Sequence, residues 1–102
     1  NTLMEIEIQS IHFKADQKLL DYITKKVEKL LTFYENIVSA QVYLKVENDS
    51  ANNNKTLEIK LNVTNTVLFT TEHCRTFECA LDLAVETLKA QLKKYKEKMR
   101  VM

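Results

Sequence analysis

"IVSAQVYLKVENDSANNNKTLEIKLNV", residues 37–63, holds two runs of alternating apolar and polar residues around a polar centre. In the first run Val38, Ala40, Val42, Leu44 and Val46 are predicted to face inward, with Gln41, Tyr43, Lys45 and Glu47 outward. In the second, Leu57, Ile59, Leu61 and Val63 share one face. A period of two is the signature of a half-buried strand. The intervening "NDSANNN" (48–54) has the composition of a hairpin loop, so the two strands are expected to pair antiparallel.

The same reading extends in both directions. Downstream, Thr64-Asn65 offers a tight turn into "TVLFTTE" (66–72), a strand with a weaker pattern. Upstream, "MEIEIQS" alternates, with Met4, Ile6 and Ile8 on one face. Between these strands, Asp16 can cap a helix whose apolar residues Leu20, Ile23, Val27, Leu30, Leu31 and Tyr34 recur at steps of three and four. From about Thr76 a second helix begins, marked by Phe77, Leu81, Ala84, Leu88, Leu92, Tyr95 and Met99. The order is β-α-β-β-β-α. A helical crossover makes the first two strands parallel neighbours, and hairpins make the rest a meander. Each strand has one apolar face, so both helices must cover that same face. The expected fold class is α+β, a two-layer sandwich with a four-stranded sheet and two helices on one side.

A length of 102 residues matches one domain, expected over residues 4–102 with Met4 as its first native residue. With 45% hydrophobic and 28% charged residues, the chain reads as soluble and globular. No apolar run approaches the ~20 residues that cross a bilayer, and the N-terminus lacks the pattern of a signal peptide. The expected location is cytoplasmic, with no membrane partner. Glycine and proline are both absent. That excludes glycine-dependent phosphate loops and leaves the turns to Asn, Asp and Ser.

Charge is unevenly spread. "ETLKAQLKKYKEKMR" (86–100) holds six basic residues against two acidic ones, a net of +4, in a chain whose total is +1. On the helix, Lys89, Lys93, Lys96 and Arg100 form one stripe, preceded on it by Asp82 and Glu86. Acid at the start and base at the end of a helix suits its macrodipole, by about 0.3–1 kcal/mol per charge. One reading is therefore a well-capped, solvated helix end. Six cations exceed what capping needs, however, and their repulsion favours a polyanionic ligand. The first helix adds Lys25, Lys26 and Lys29 beside its core stripe, and its expected neighbour on the sheet is the last helix. Two such helices side by side would present lysines to phosphates, as in backbone and shape recognition of structured RNA.

Other chemistry is weakly supported. His12, His73, Cys74 and Cys79 match no usual zinc spacing, and Cys79 is expected to face the core as a small apolar residue. No metal, cofactor or catalytic residue is expected, and the chain does not read as an enzyme. Tyr43, Lys45, Glu58 and Lys60 mark a solvated outer sheet face. Exposed edge strands leave room for a weak homodimer beside the monomer.

The helix "LLDYITKKVEKLLTFY", the strand "VYLKVE" and the ending "FECALDLAVETLKAQLKKYKEK" resemble the ribosome hibernation-promoting factors. That family includes the YfiA-like ribosome-associated inhibitors and also carries the name sigma-54 modulation proteins. The resemblance covers the chain from Met4 and is most specific at Ala80, Asp82, Leu88, Gln91, Leu92, Lys94 and Lys98. It implies a double-stranded-RNA-binding-like fold that docks on the small ribosomal subunit, on its 16S-type ribosomal RNA near the decoding region. There it would block messenger and transfer RNA and hold idle ribosomes inactive. The length resembles that of the family's short form, which lacks the domain that pairs ribosomes. Lys26 and Lys29 match basic positions of the family's first helix, and Lys94 and Lys98 of its last. The family's lysine and arginine are replaced by Thr87 and Ala90, and its acidic residue before the last helix by Arg75; Lys89 and Lys93 are candidate substitutes. The expected RNA-binding set is thus Lys26, Lys29, Lys89, Lys93, Lys94 and Lys98. The sigma-54 name leaves a second reading open, a protein-interaction module that modulates transcription without RNA.

Overall fold

The computed structural model describes residues 5–11, 13–34, 37–47 and 54–101. Its elements run β1 (Glu5–Ile11), α1 (Gln17–Phe33), β2 (Ile37–Val46), β3 (Lys55–Val63), β4 (Thr66–Cys74) and α2 (Phe77–Val101). One sheet of order β1-β2-β3-β4 carries them. β1 and β2 pair parallel, Ile8 opposite Val42, and the other two pairings are antiparallel. The expected β-α-β-β-β-α order, the single parallel pair and the meander are all present. Residues 48–53, most of the expected hairpin loop, lie outside the described residues.

Local chemistry accounts for the element ends. Asp16 sits in extended backbone and its carboxylate accepts the Leu19 amide at 2.9 Å, the N-cap of α1. Thr76 does the same for α2, its hydroxyl accepting the Cys79 amide at 3.1 Å. The β3–β4 turn needs a left-handed residue in a chain without glycine, and Asn65 supplies it at φ 71°.

One core lies between the sheet and the two helices. It joins Ala40, Val42, Leu44, Leu57, Ile59 and Leu61 from the sheet to Ile23, Val27 and Leu30 of α1 and Leu81, Ala84, Leu88 and Leu92 of α2. Phe13, just before α1, stacks on Phe77 at 5.4 Å, closing one end. The short molecular dimension, 17 Å, is that of two layers packed about 10 Å apart.

Two expectations about facing need correction. Val38 was expected inward but is 59% exposed, and Ile37 is buried in its place. The β2–β3 register slips between Ile37 and Ser39, and such an irregularity reverses the face of the residue beside it. Cys79 was expected in the core but is exposed, whereas Cys74 is buried. Position 79 falls on the solvent side of a helix whose inner face is Phe77, Ala80, Leu81 and Ala84. In β4 the weak pattern has a cause: its inner row holds buried Thr70 and half-buried Glu72, which are bonded to each other at 3.3 Å.

Candidate nucleic-acid interface

α1 and α2 lie against one another, and their lysines flank a cleft of about 420 Å³. Leu30 and Val85 contribute its apolar lining, and Lys26, Lys29, Asp82, Glu86 and Lys89 its polar lining. The placement follows from helical phase. Lys26 and Lys29 flank the buried positions 23, 27 and 30, while 82, 85, 86 and 89 form the side of α2 that meets them.

At the acidic end, Asp82 is a shared acceptor. Lys26 Nζ lies 3.0 Å and Tyr22 Oη 3.1 Å from its Oδ1. The Lys26 bond holds the Asp82 carboxyl below the usual carboxylate range, against a smaller opposing effect of burial; Tyr22 assists. The same bond raises the Lys26 ammonium above its ordinary value. Burial, then the Asp82 hydrogen bond, raises the Tyr22 phenol. Lys26 also stands 5.8 Å from the Tyr22 ring centre. Farther along, Lys89 pairs with Glu86 at 3.7 Å.

Toward the C-terminus of α2 the surface turns basic. Tyr34, Lys93, Lys96 and Glu97 line a second depression of about 240 Å³. Lys96 Nζ lies 5.4 Å from the Tyr34 ring centre, a cation–π contact. The exposed Lys29, Lys93 and Lys94 have no carboxylate within ion-pair distance among the described residues.

The six expected binding residues therefore fall into three groups. Lys26, Lys29 and Lys89 share the cleft, and Lys93 lines the adjoining depression. Lys94 is exposed about 140° around the helix from Lys89, on the flank toward β4, and position 98 continues that row. The Lys98 side chain and that of Arg100 lie outside the described residues. Thr87 lies on the same β4 flank, its hydroxyl 3.4 Å from Glu72 Oε2. Its replacement of a family lysine removes no cation from the cleft. Sequence reasoning placed Tyr34 at the end of a core stripe, and it does pack against the core; what was missed is its contact with Lys96, which exists only because α1 and α2 are adjacent.

His73, Cys74 and Cys79 do not line this surface. His73 Nδ1 lies 2.9 Å from Thr56 Oγ1, and His12 is outside the described residues. Among the described residues, no three His, Cys, Asp or Glu side chains are grouped to hold a metal, and no helix is long and apolar enough to cross a membrane.

Comparison with known proteins agrees with the fold. A ribosomal subunit interface protein from Coxiella burnetii superposes with a TM-score of 0.81 at 16% identity, covering 92% of this chain and 99% of that one. The N-terminal domain of Thermus thermophilus Protein Y gives 0.75 at 22% identity, covering 90% and 99%. In sequence, a ribosome hibernation promoting factor of Pseudomonas putida is 31% identical over 97 residues, 95% of this chain and 91% of that protein. The family profile described as "Sigma 54 modulation protein / S30EA ribosomal protein" matches residues 6–100. The chain belongs to that family, the one its last helix resembles.

Proposed function

We propose that this chain is a ribosome hibernation factor that docks the lysine-bearing faces of α1 and α2 on ribosomal RNA of the small subunit near the decoding region. By occupying that space it excludes messenger and transfer RNA; it carries out no reaction and acts in the cytoplasm. Residues 4–102 form the binding unit. Supporting this reading are the family membership and the hibernation factor 31% identical to the chain. The observation that carries it is the adjacency of the two helices, which brings Lys26, Lys29, Lys89 and Lys93 along one interhelical surface.

Lys29, Lys93 and Lys94 are the primary phosphate contacts, since among the described residues no carboxylate lies within ion-pair distance of them. Lys26 and Lys89 join by exchanging Asp82 and Glu86 for phosphate, and Lys98 extends the row begun by Lys94. Lysine serves here as a point charge, and recognition is of backbone and shape rather than base sequence.

Co-sedimentation with purified small subunits tests the reading. The native chain is expected to pellet with subunits, and a Lys29/Lys93/Lys94→Ala variant to remain mostly in the supernatant. Equal pelleting of both would refute the site assignment. If the native chain does not pellet, but captures a protein partner that survives nuclease treatment, the transcription-module reading replaces this one.

A further inference from the structure

The chain has two cysteines, and the fold brings them together. Cys74 ends β4 and is buried; Cys79 is the third residue of α2 and is exposed. Their sulfurs lie 2.8 Å apart, with the Cys79 thiol donating to Cys74. The connection between them is Arg75 to Glu78, whose start is fixed by the Thr76 cap and whose Phe77 is held against Phe13. Both thiols are therefore presented by anchored backbone, and closure requires the sulfurs to approach by less than about 1 Å.

We propose that Cys74 and Cys79 form an oxidisable dithiol, a modification site at the β4–α2 junction that a hydroperoxide converts to an intramolecular disulfide. Exposure sets the order of events. The Cys79 sulfur, as thiolate, attacks the hydroperoxide; the O–O bond breaks, alkoxide or hydroxide leaves and takes a proton, and Cys79 becomes a sulfenic acid. The Cys74 sulfur then gives up its proton and attacks the Cys79 sulfur. The S–S bond forms, the S–O bond breaks, and water departs. Two thiols supply the two electrons that reduce the peroxide. Burial, then the thiol–thiol interaction with Cys79, pushes the Cys74 thiol up to about 11, which suits it to the second role and not the first. Thiol exchange with a reducing dithiol reopens the bridge. Closed, it fastens the end of the edge strand to the first turn of α2.

The test uses the reduced, full chain and hydrogen peroxide. The expected result is loss of both titratable thiols, a monomer lighter by about 2 Da, and a non-reducing peptide map joining residue 74 to residue 79, all reversed by dithiothreitol. A Cys79→Ser variant is expected to keep its Cys74 thiol, reacting roughly tenfold or more slowly than Cys79 does in Cys74→Ser. Three results overturn the proposal: both thiols surviving excess peroxide, Cys79 passing to sulfinic acid while Cys74 stays free, or bridges forming only between chains. Because the decisive measurement is on the native chain, a variant that fails to fold leaves the answer intact.

Discussion

Asp82 accepts two hydrogen bonds, from Lys26 at 3.0 Å and Tyr22 at 3.1 Å, in a cleft it shares with Glu86 and three lysines. Its carboxyl is held low, so its contribution to stability is present above the unfolded value near 3.9 and fades as pH falls through the folded value. Lys26 is held high, so its contribution is present below about 10.4 and fades as pH rises through the folded value. Between those flanks the pair is indifferent to pH. With Lys26 and Asp82 side chains 38% and 53% exposed, solvent limits the pair to at most about 1 kcal/mol. Asp82→Asn should therefore barely move the melting temperature at pH 7. It should tighten binding to small subunits several-fold, by removing an anion and freeing Lys26, as titration of the variant against labelled subunits would show. Weaker binding would mean that Asp82 serves to aim Lys26 at its phosphate. Nothing in the one-dimensional sequence announces this pair, because residues 26 and 82 meet only through tertiary packing. Cys79 was misread for a different reason: residue type, which favours burial of cysteine, was trusted over helical phase, which puts position 79 outside.

Elements were far more legible than side-chain pairings. Period two in 40–46 and 57–63 and period three to four in 23–30 and 77–95 each place a continuous apolar row, and the rows can be buried together in only one way. What failed was local: the slip at Ile37/Ser39 carries no composition signal, and extrapolating the alternation backward through it assigned Val38 to the core. Ile37→Thr should accordingly destabilise by about 2 kcal/mol, and Val38→Thr by less than about 0.5 kcal/mol, in matched urea titrations. Equal effects would contradict the described register. At the start of α2, Thr76→Ala removes the acceptor of the Cys79 amide and should cost about 1 kcal/mol. That loss is readable in the same titration, and Thr76→Ser should restore most of it.

For the whole molecule, a net charge of +1 gives little general attraction to a polyanion. Binding must come from how charge is distributed, and both helices lie on one face of the sheet, where their lysines add. The opposite sheet face is different in kind: Tyr43, Glu58 and Lys60 are partly covered, and Val67 and Phe69 of β4 are exposed. The composition showed that a basic end existed; the fold shows that it divides into a cleft, a tyrosine-lined depression and a flank toward β4. The most direct test is the salt dependence of affinity for purified small subunits, native chain against Lys29/Lys93/Lys94→Ala. If three phosphate contacts are removed, the slope of log K against log salt should flatten by about 2–3 units, from roughly 0.7–0.9 per contact. Parallel slopes for the two proteins would contradict electrostatic docking by these lysines.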